Sequence, residues 1–197
     1  MFQLIGVLSG VLALLADVPY IADILRGKTK PHRVSWSVFL TLNVINLFNQ
    51  VAIGASYSLW LIAGFVAAQV VIVGLSIKRG VGGTSKLDLL CLAGAATGIG
   101  LWVYFQTALA SIIANIAVGS IVLMPTAVKA FKRPATETKS TWLVGSLASA
   151  LGAIAVGKLD VALLLLPIYS FVAQLLIYGL IQFGSLLKTA RKANSVS

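Results

Sequence analysis

The chain has 197 residues, 59% of them hydrophobic and 10% charged, with a mean hydropathy of +0.99 and a formal net charge of +10, whereas soluble domains carry roughly 25% charged residues. That composition excludes a soluble globular domain. The basic residues sit in short segments between apolar runs with little aromatic interleaving, which also excludes a nucleic-acid-binding module.

Apolar runs of about 18 residues or more are long enough to cross a bilayer. Seven are expected, roughly at residues 3–25, 34–54, 57–77, 87–105, 108–130, 141–157 and 159–183. The first has no Lys or Arg ahead of it, so a retained span is expected rather than a cleaved signal. It contains Asp17, two residues before Pro19. A central Asp costs roughly 2.5–3.5 kcal/mol on insertion scales, so a protonatable site that couples solute movement to protons is one reading, and a structural hydrogen bond to a neighbouring Ser or Tyr is the other. Asp23, nearer the basic segment, is expected to pair with Arg26 or a loop lysine.

The second span carries TLNVINLFNQ (Thr41 to Gln50). At about 100° per residue, Asn43, Asn46 and Gln50 fall within about 60° of one another, a polar stripe suited to a solute pocket or to interhelical hydrogen bonds. The third span offers Gln69 and the fifth Asn115. The fourth holds Cys91, the one cysteine, as a small packing residue, and GAATGIG (Gly94 to Gly100), a surface for close helix approach. On the seventh, Ser170, Gln174 and Tyr178 recur every four residues and share a face.

Two stretches share one plan. VPYIADILRGKTKPHRVSW ends at Trp36 and MPTAVKAFKRPATETKSTW at Trp142; Pro125 follows Pro19, and Trp142 follows Trp36, by 106 positions. FVAAQVVIVGL (Phe65 to Leu75) likewise answers FVAQLLIYGL (Phe171 to Leu180), matching Gln69 with Gln174, and Gly54 answers Gly157. The expected organisation is a three-helix unit in 1–80, a linker helix in 81–107, a second three-helix unit in 108–184 and a basic tail in 185–197. An odd number of spans per copy would invert the second copy, and the linker restores a parallel repeat. Fourteen of the fifteen Lys and Arg residues fall on one face of that arrangement, with Lys158 alone on the other. The positive-inside rule then places the N-terminus outside and the C-terminus in the cytoplasm. Pro19, Pro125 and Pro167 are candidate hinges, and Trp36 and Trp142 are expected in an interfacial aromatic belt.

A proline in the first helix of each copy, a short basic loop, Ser or Thr with Trp opening the next helix and a glutamine in the third together resemble the SWEET and PQ-loop superfamily of small-solute transporters. The resemblance spans nearly the whole chain. It implies an all-α, seven-helix 3+1+3 architecture and solute movement by alternating access between two three-helix bundles. Tyr20 and Thr126 stand where the family's motif has glutamine, and Ala63 and Ile168 where its sugar carriers have asparagine. Prolines that the family carries in the second and sixth helices are also absent. Sugar as the substrate is therefore not implied.

With His32 as the sole histidine, no lysine in the seventh span, and no phosphate-binding loop, G-x-S-x-G or H-E-x-x-H motif, neither an enzyme nor a cofactor is expected. The expected function is transport of a small polar solute (sugar, amino acid or related metabolite), coupled to protons through Asp17. Its expected contacts are Asn43, Asn46, Gln50, Gln69, Asn115, Ser170, Gln174 and Tyr178. A sorting or ligand-binding receptor without transport is the alternative. The expected partners are the solute, membrane lipids and protons, with a homo-oligomer left open and a plasma or inner membrane as the location.

Overall fold

The computed structural model describes residues 1–83, 85–105 and 107–194, without the side chains of residues 87, 91, 95, 98, 101, 102, 105 and 191–194. The packing role expected for Cys91 and the tail charges Arg191 and Lys192 lie outside the described side chains. The described chain is all helical: α1 (Phe2–Leu25), α2 (Arg33–Ala52), α3 (Leu59–Arg79), α4 (Lys86–Phe105), α5 (Ala108–Lys132), α6 (Lys139–Ala155) and α7 (Val161–Asn194), with a 3-10 turn at Pro134–Thr136. No strand occurs among the described residues, although His32 and Val81 form an isolated bridge between two loops.

Four of these helices, α1, α3, α5 and α7, are long and apolar enough to cross a bilayer, as a membrane protein requires. The others fall short for identifiable reasons where side chains are described. α2 is diluted by Thr41, Asn43, Asn46, Asn49 and Gln50, and α6 has only 17 residues. Both end at a glycine in the left-handed region, Gly54 at φ 77° and Gly157 at φ 71°, where a Cβ would be strained. The seventh helix runs past its expected end at 183, because residues 184–194 contain no proline and are mostly good helix formers, among them Leu186, Leu187, Lys188 and Ala190.

Neighbouring helices close a ring in the order α1, α3, α2, α5, α7, α6 and back to α1, while α4 lies outside it against α5 and α2. Small residues permit the close approaches. A Cβ at Gly64 would collide with the backbone carbonyl of Gly10 between α3 and α1, and one at Gly184 with that of Phe131 between α7 and α5. The exterior is apolar, with Val11, Leu15 and Val18 on α1, Val70 and Val71 on α3, Ile113 and Val128 on α5, and Val172 and Leu176 on α7 all exposed. Polar side chains such as Ser9, Asp17, Asn46, Gln69, Asn115 and Ser149 are buried instead. This is the reverse of a water-soluble surface, and it places hydrogen-bonding groups where helices meet.

Candidate functional site

Pro19 in α1 and Pro125 in α5 lack the N–H that would continue the helical ladder, which loosens the turn before each. The carbonyl three residues ahead of each proline takes a donor from another helix. Thr141 Oγ1 on α6 donates to the Ala16 carbonyl at 2.8 Å, and Ser35 Oγ on α2 donates to the Val122 carbonyl at 3.0 Å. The two donors are 106 positions apart, and so are the two acceptors.

Each donor immediately precedes a tryptophan. Trp36 and Trp142 are 5% and 6% exposed, so the expectation of an interfacial belt is corrected: both rings are interior. The hydrogen bond made by the preceding residue holds the first turn of α2 or α6 against a proline helix, and each indole N–H finds an internal acceptor. Trp36 Nε1 donates to the Tyr20 hydroxyl at 3.1 Å and Trp142 Nε1 to Glu137 Oε2 at 3.4 Å.

Beyond the tryptophans, the basic segments meet. Thr138 donates to Asp23 Oδ2 at 2.9 Å and accepts from Thr29 at 2.8 Å, while Arg26 lies 4.0 Å from Asp23 and is mostly exposed. Asp23 thus has the expected arginine as a loose neighbour and Thr138 as its close partner. Lys129 forms an ion pair with buried Glu137 and donates to the Lys30 carbonyl at 2.6 Å. Burial pushes the Glu137 carboxyl above its ordinary range against the opposing pull of Lys129. His32 caps α2: Nδ1 faces the Ser35 N–H at 3.4 Å, and Nε2 lies 3.0 Å from Asp88 Oδ1. Burial lowers the His32 pKa, outweighing the Asp88 carboxylate, with Lys129 lowering it further. His32 is accordingly neutral at pH 7, with Nδ1 as the acceptor and the proton on Nε2.

On the other side of the tryptophans is a cavity of about 110 Å³, against the roughly 10–15 Å³ that one water needs. It has room for several waters or one small solute. All six ring helices line it, and no described side chain of α4 does. Of the residues expected to act on a solute, Asp17, Asn43, Asn46, Gln69, Asn115, Ser170 and Gln174 reach the cavity. Gln50 does not line it; it is 1% exposed, and among the described residues both its amide atoms lack a partner. Tyr178 is also absent from its wall, its hydroxyl accepting from Gln182 at 2.9 Å.

Several amides tie helices together as well. Asn43 donates to Gln69 at 3.1 Å, Asn115 to Asn46 at 2.8 Å, and Gln174 to Ser149 at 3.1 Å. Among the described residues the buried Asn115 carbonyl oxygen has no partner. Asp17 is 4% exposed and lines the cavity, and among the described residues no hydrogen bond or ion pair reaches its carboxylate. Pro19, Pro125 and Pro167 all lie inside continuous helices.

The cavity also takes Thr141 and the rings of Phe39, Phe65 and Tyr169, none of which sequence reasoning placed in a site. Thr141 had a visible signal, since it precedes the spaced tryptophan. The three rings had none, because on an apolar helix an inward aromatic reads like a lipid-facing one. No family model, curated protein or solved structure matches this chain.

Proposed function

We propose that this chain is a small seven-helix transporter with a SWEET-like 3+1+3 arrangement, moving a small polar solute by alternating access between the units 1–80 and 108–184. The observation that carries this reading is the cavity itself. Three helices from each unit line it, the linker helix lies outside, and its polar lining comes from both. The ring order supports a duplicated origin, because α1–α3–α2 answers α5–α7–α6 and the units meet through α1 with α6 and α2 with α5.

In this reading all seven helices span the membrane, with the N-terminus outside and the basic loops in the cytoplasm. The Thr29, Thr138, Asp23, Lys129 and Glu137 contacts close the cytoplasmic end, the prolines are the hinges about which it opens, and Asp17 is the proton-coupling group. A carboxyl with no hydrogen bond or ion pair among the described residues, facing a small cavity with amide and hydroxyl groups in its wall, is suited to that role.

The test is uptake of radiolabelled solutes by proteoliposomes holding the purified protein, with and without an imposed proton gradient. Saturable flux of one solute class, accelerated by the gradient and lost in Asp17→Asn, is the expected result. Binding without flux would overturn transport and leave a receptor. Flux indifferent to the gradient would remove Asp17 from proton coupling.

A further inference from the structure

We infer that the cavity recognises a small organic cation, an ammonium-bearing solute whose positive charge rests against Asp17 within a wall of aromatic rings. The inference rests on reading the cavity as a solute site and names the chemistry of the solute.

The first observation is the charge balance of the wall. Among the described residues Asp17 is its one carboxyl, and no Lys, Arg or His lines it; the other polar groups there are neutral amides and hydroxyls. An anionic solute would face a carboxylate with no cation to offset it, and a neutral solute would leave that carboxylate unpaired when ionised. Burying a charge without a partner is costly. A cation supplies the missing charge.

The second observation is that the carboxyl is free to take such a partner. It is 4% exposed, it borders the cavity, and among the described residues no hydrogen bond or ion pair reaches it. Asp23, six residues further along α1, is already held by Thr138, with Arg26 nearby, so the two carboxylates are not equivalent.

The third observation is aromatic. The rings of Trp36, Trp142, Phe65 and Tyr169 border the same space, and ring faces attract desolvated ammonium groups, Trp most strongly. Phe39 adds a fifth ring, and the rest of the wall alternates amides and hydroxyls with aliphatic side chains such as Leu42, Ile116 and Leu166. The unpartnered Asn115 carbonyl oxygen, buried in the same wall, offers an acceptor for a hydroxyl or an N–H at the other end of the solute.

The experiment compares two probes of one shape that differ in charge: choline, and its uncharged carbon isostere 3,3-dimethyl-1-butanol. Each is titrated into the detergent-purified chain, with the thermal midpoint and tryptophan fluorescence as readouts. Choline is expected to raise the midpoint and perturb the fluorescence at concentrations where the isostere does neither. Asp17→Asn should weaken choline at least tenfold, and Asp17→Glu should restore most of the affinity, which a purely structural role for Asp17 would not produce. Equal binding of both probes, or choline binding unchanged in Asp17→Asn, overturns the inference. Uptake of an uncharged solute by proteoliposomes that ignore choline would overturn the cation while leaving transport standing. Choline binding that depends on Asp17 without any flux would do the reverse.

Discussion

The indole rings of Trp36 and Trp142 lie with centroids 6.4 Å apart and planes at 41°, packed against each other between a cluster of loop contacts and a cavity. Each indole is fixed by its own acceptor, Tyr20 for one and Glu137 for the other. Both are fixed again by the neighbouring Ser35 or Thr141, bonded to the turn before a proline. The pair therefore forms a floor to the cavity that is held from both sides.

Aromatic pairs at such distances contribute about 0.5–1.5 kcal/mol beyond the area they bury. A double-mutant cycle of Trp36→Leu and Trp142→Leu, measured by denaturation in detergent, is expected to give a coupling energy in that range. Strict additivity would mean that the rings act only as independent fillers.

Ser35→Ala and Thr141→Val each remove one bond between helices. Interhelical hydrogen bonds in membranes average about 0.6 kcal/mol, with a maximum near 1.7. Each variant should cost about that much, and the double variant about twice as much. A negligible cost for both would show that the carbonyls of Ala16 and Val122 find other donors.

Asp17→Asn removes an unpartnered buried carboxyl and keeps its shape. It is expected to raise the thermal midpoint at neutral pH, by about 2–4 °C for each kcal/mol of relief in a chain of this size. A clear drop would indicate a structural partner for the carboxyl.

Burial holds the His32 pKa below the ordinary histidine value of about 6.5. The folded state therefore binds fewer protons than the unfolded state just below that pH, so the contribution of His32 to stability is present above about 6.5 and lost as pH falls through that region toward its lowered value. Replacing it with Asn retains a capping acceptor for α2 and removes the titration. The midpoint of His32→Asn should decline less than the parent's between pH 7.5 and 5.5; parallel declines would assign the pH response elsewhere.

Much of this was legible in the chain. Helical class and the apolar cores of the long helices follow from composition and run length, because lipid and a helical interior both select apolar residues. The spacing of Pro19 with Pro125 and of Trp36 with Trp142 marked the turns that matter, and the polar stripe of α2 delivered Asn43 and Asn46 to the cavity. The stripe overreached at Gln50, and the face shared by Ser170 and Gln174 did not carry Tyr178 to the wall, since helical phase alone does not say how far along its axis a cavity extends.

By itself, then, the sequence determined that the chain is helical and apolar, with two proline turns and two Ser/Thr-Trp pairs at matching intervals. Only the tertiary structure decided that each pair serves the other proline. Thr141 bonds to the turn of Pro19 and Ser35 to the turn of Pro125, although sequence proximity had associated Pro19 with Trp36. Hydrogen-bonding capacity is a property of a residue, whereas its partner depends on which helices pack side by side. Here α1 lies against α6 and α2 against α5, and that contact pattern turned two spaced motifs into one floor beneath a cavity lined by both units.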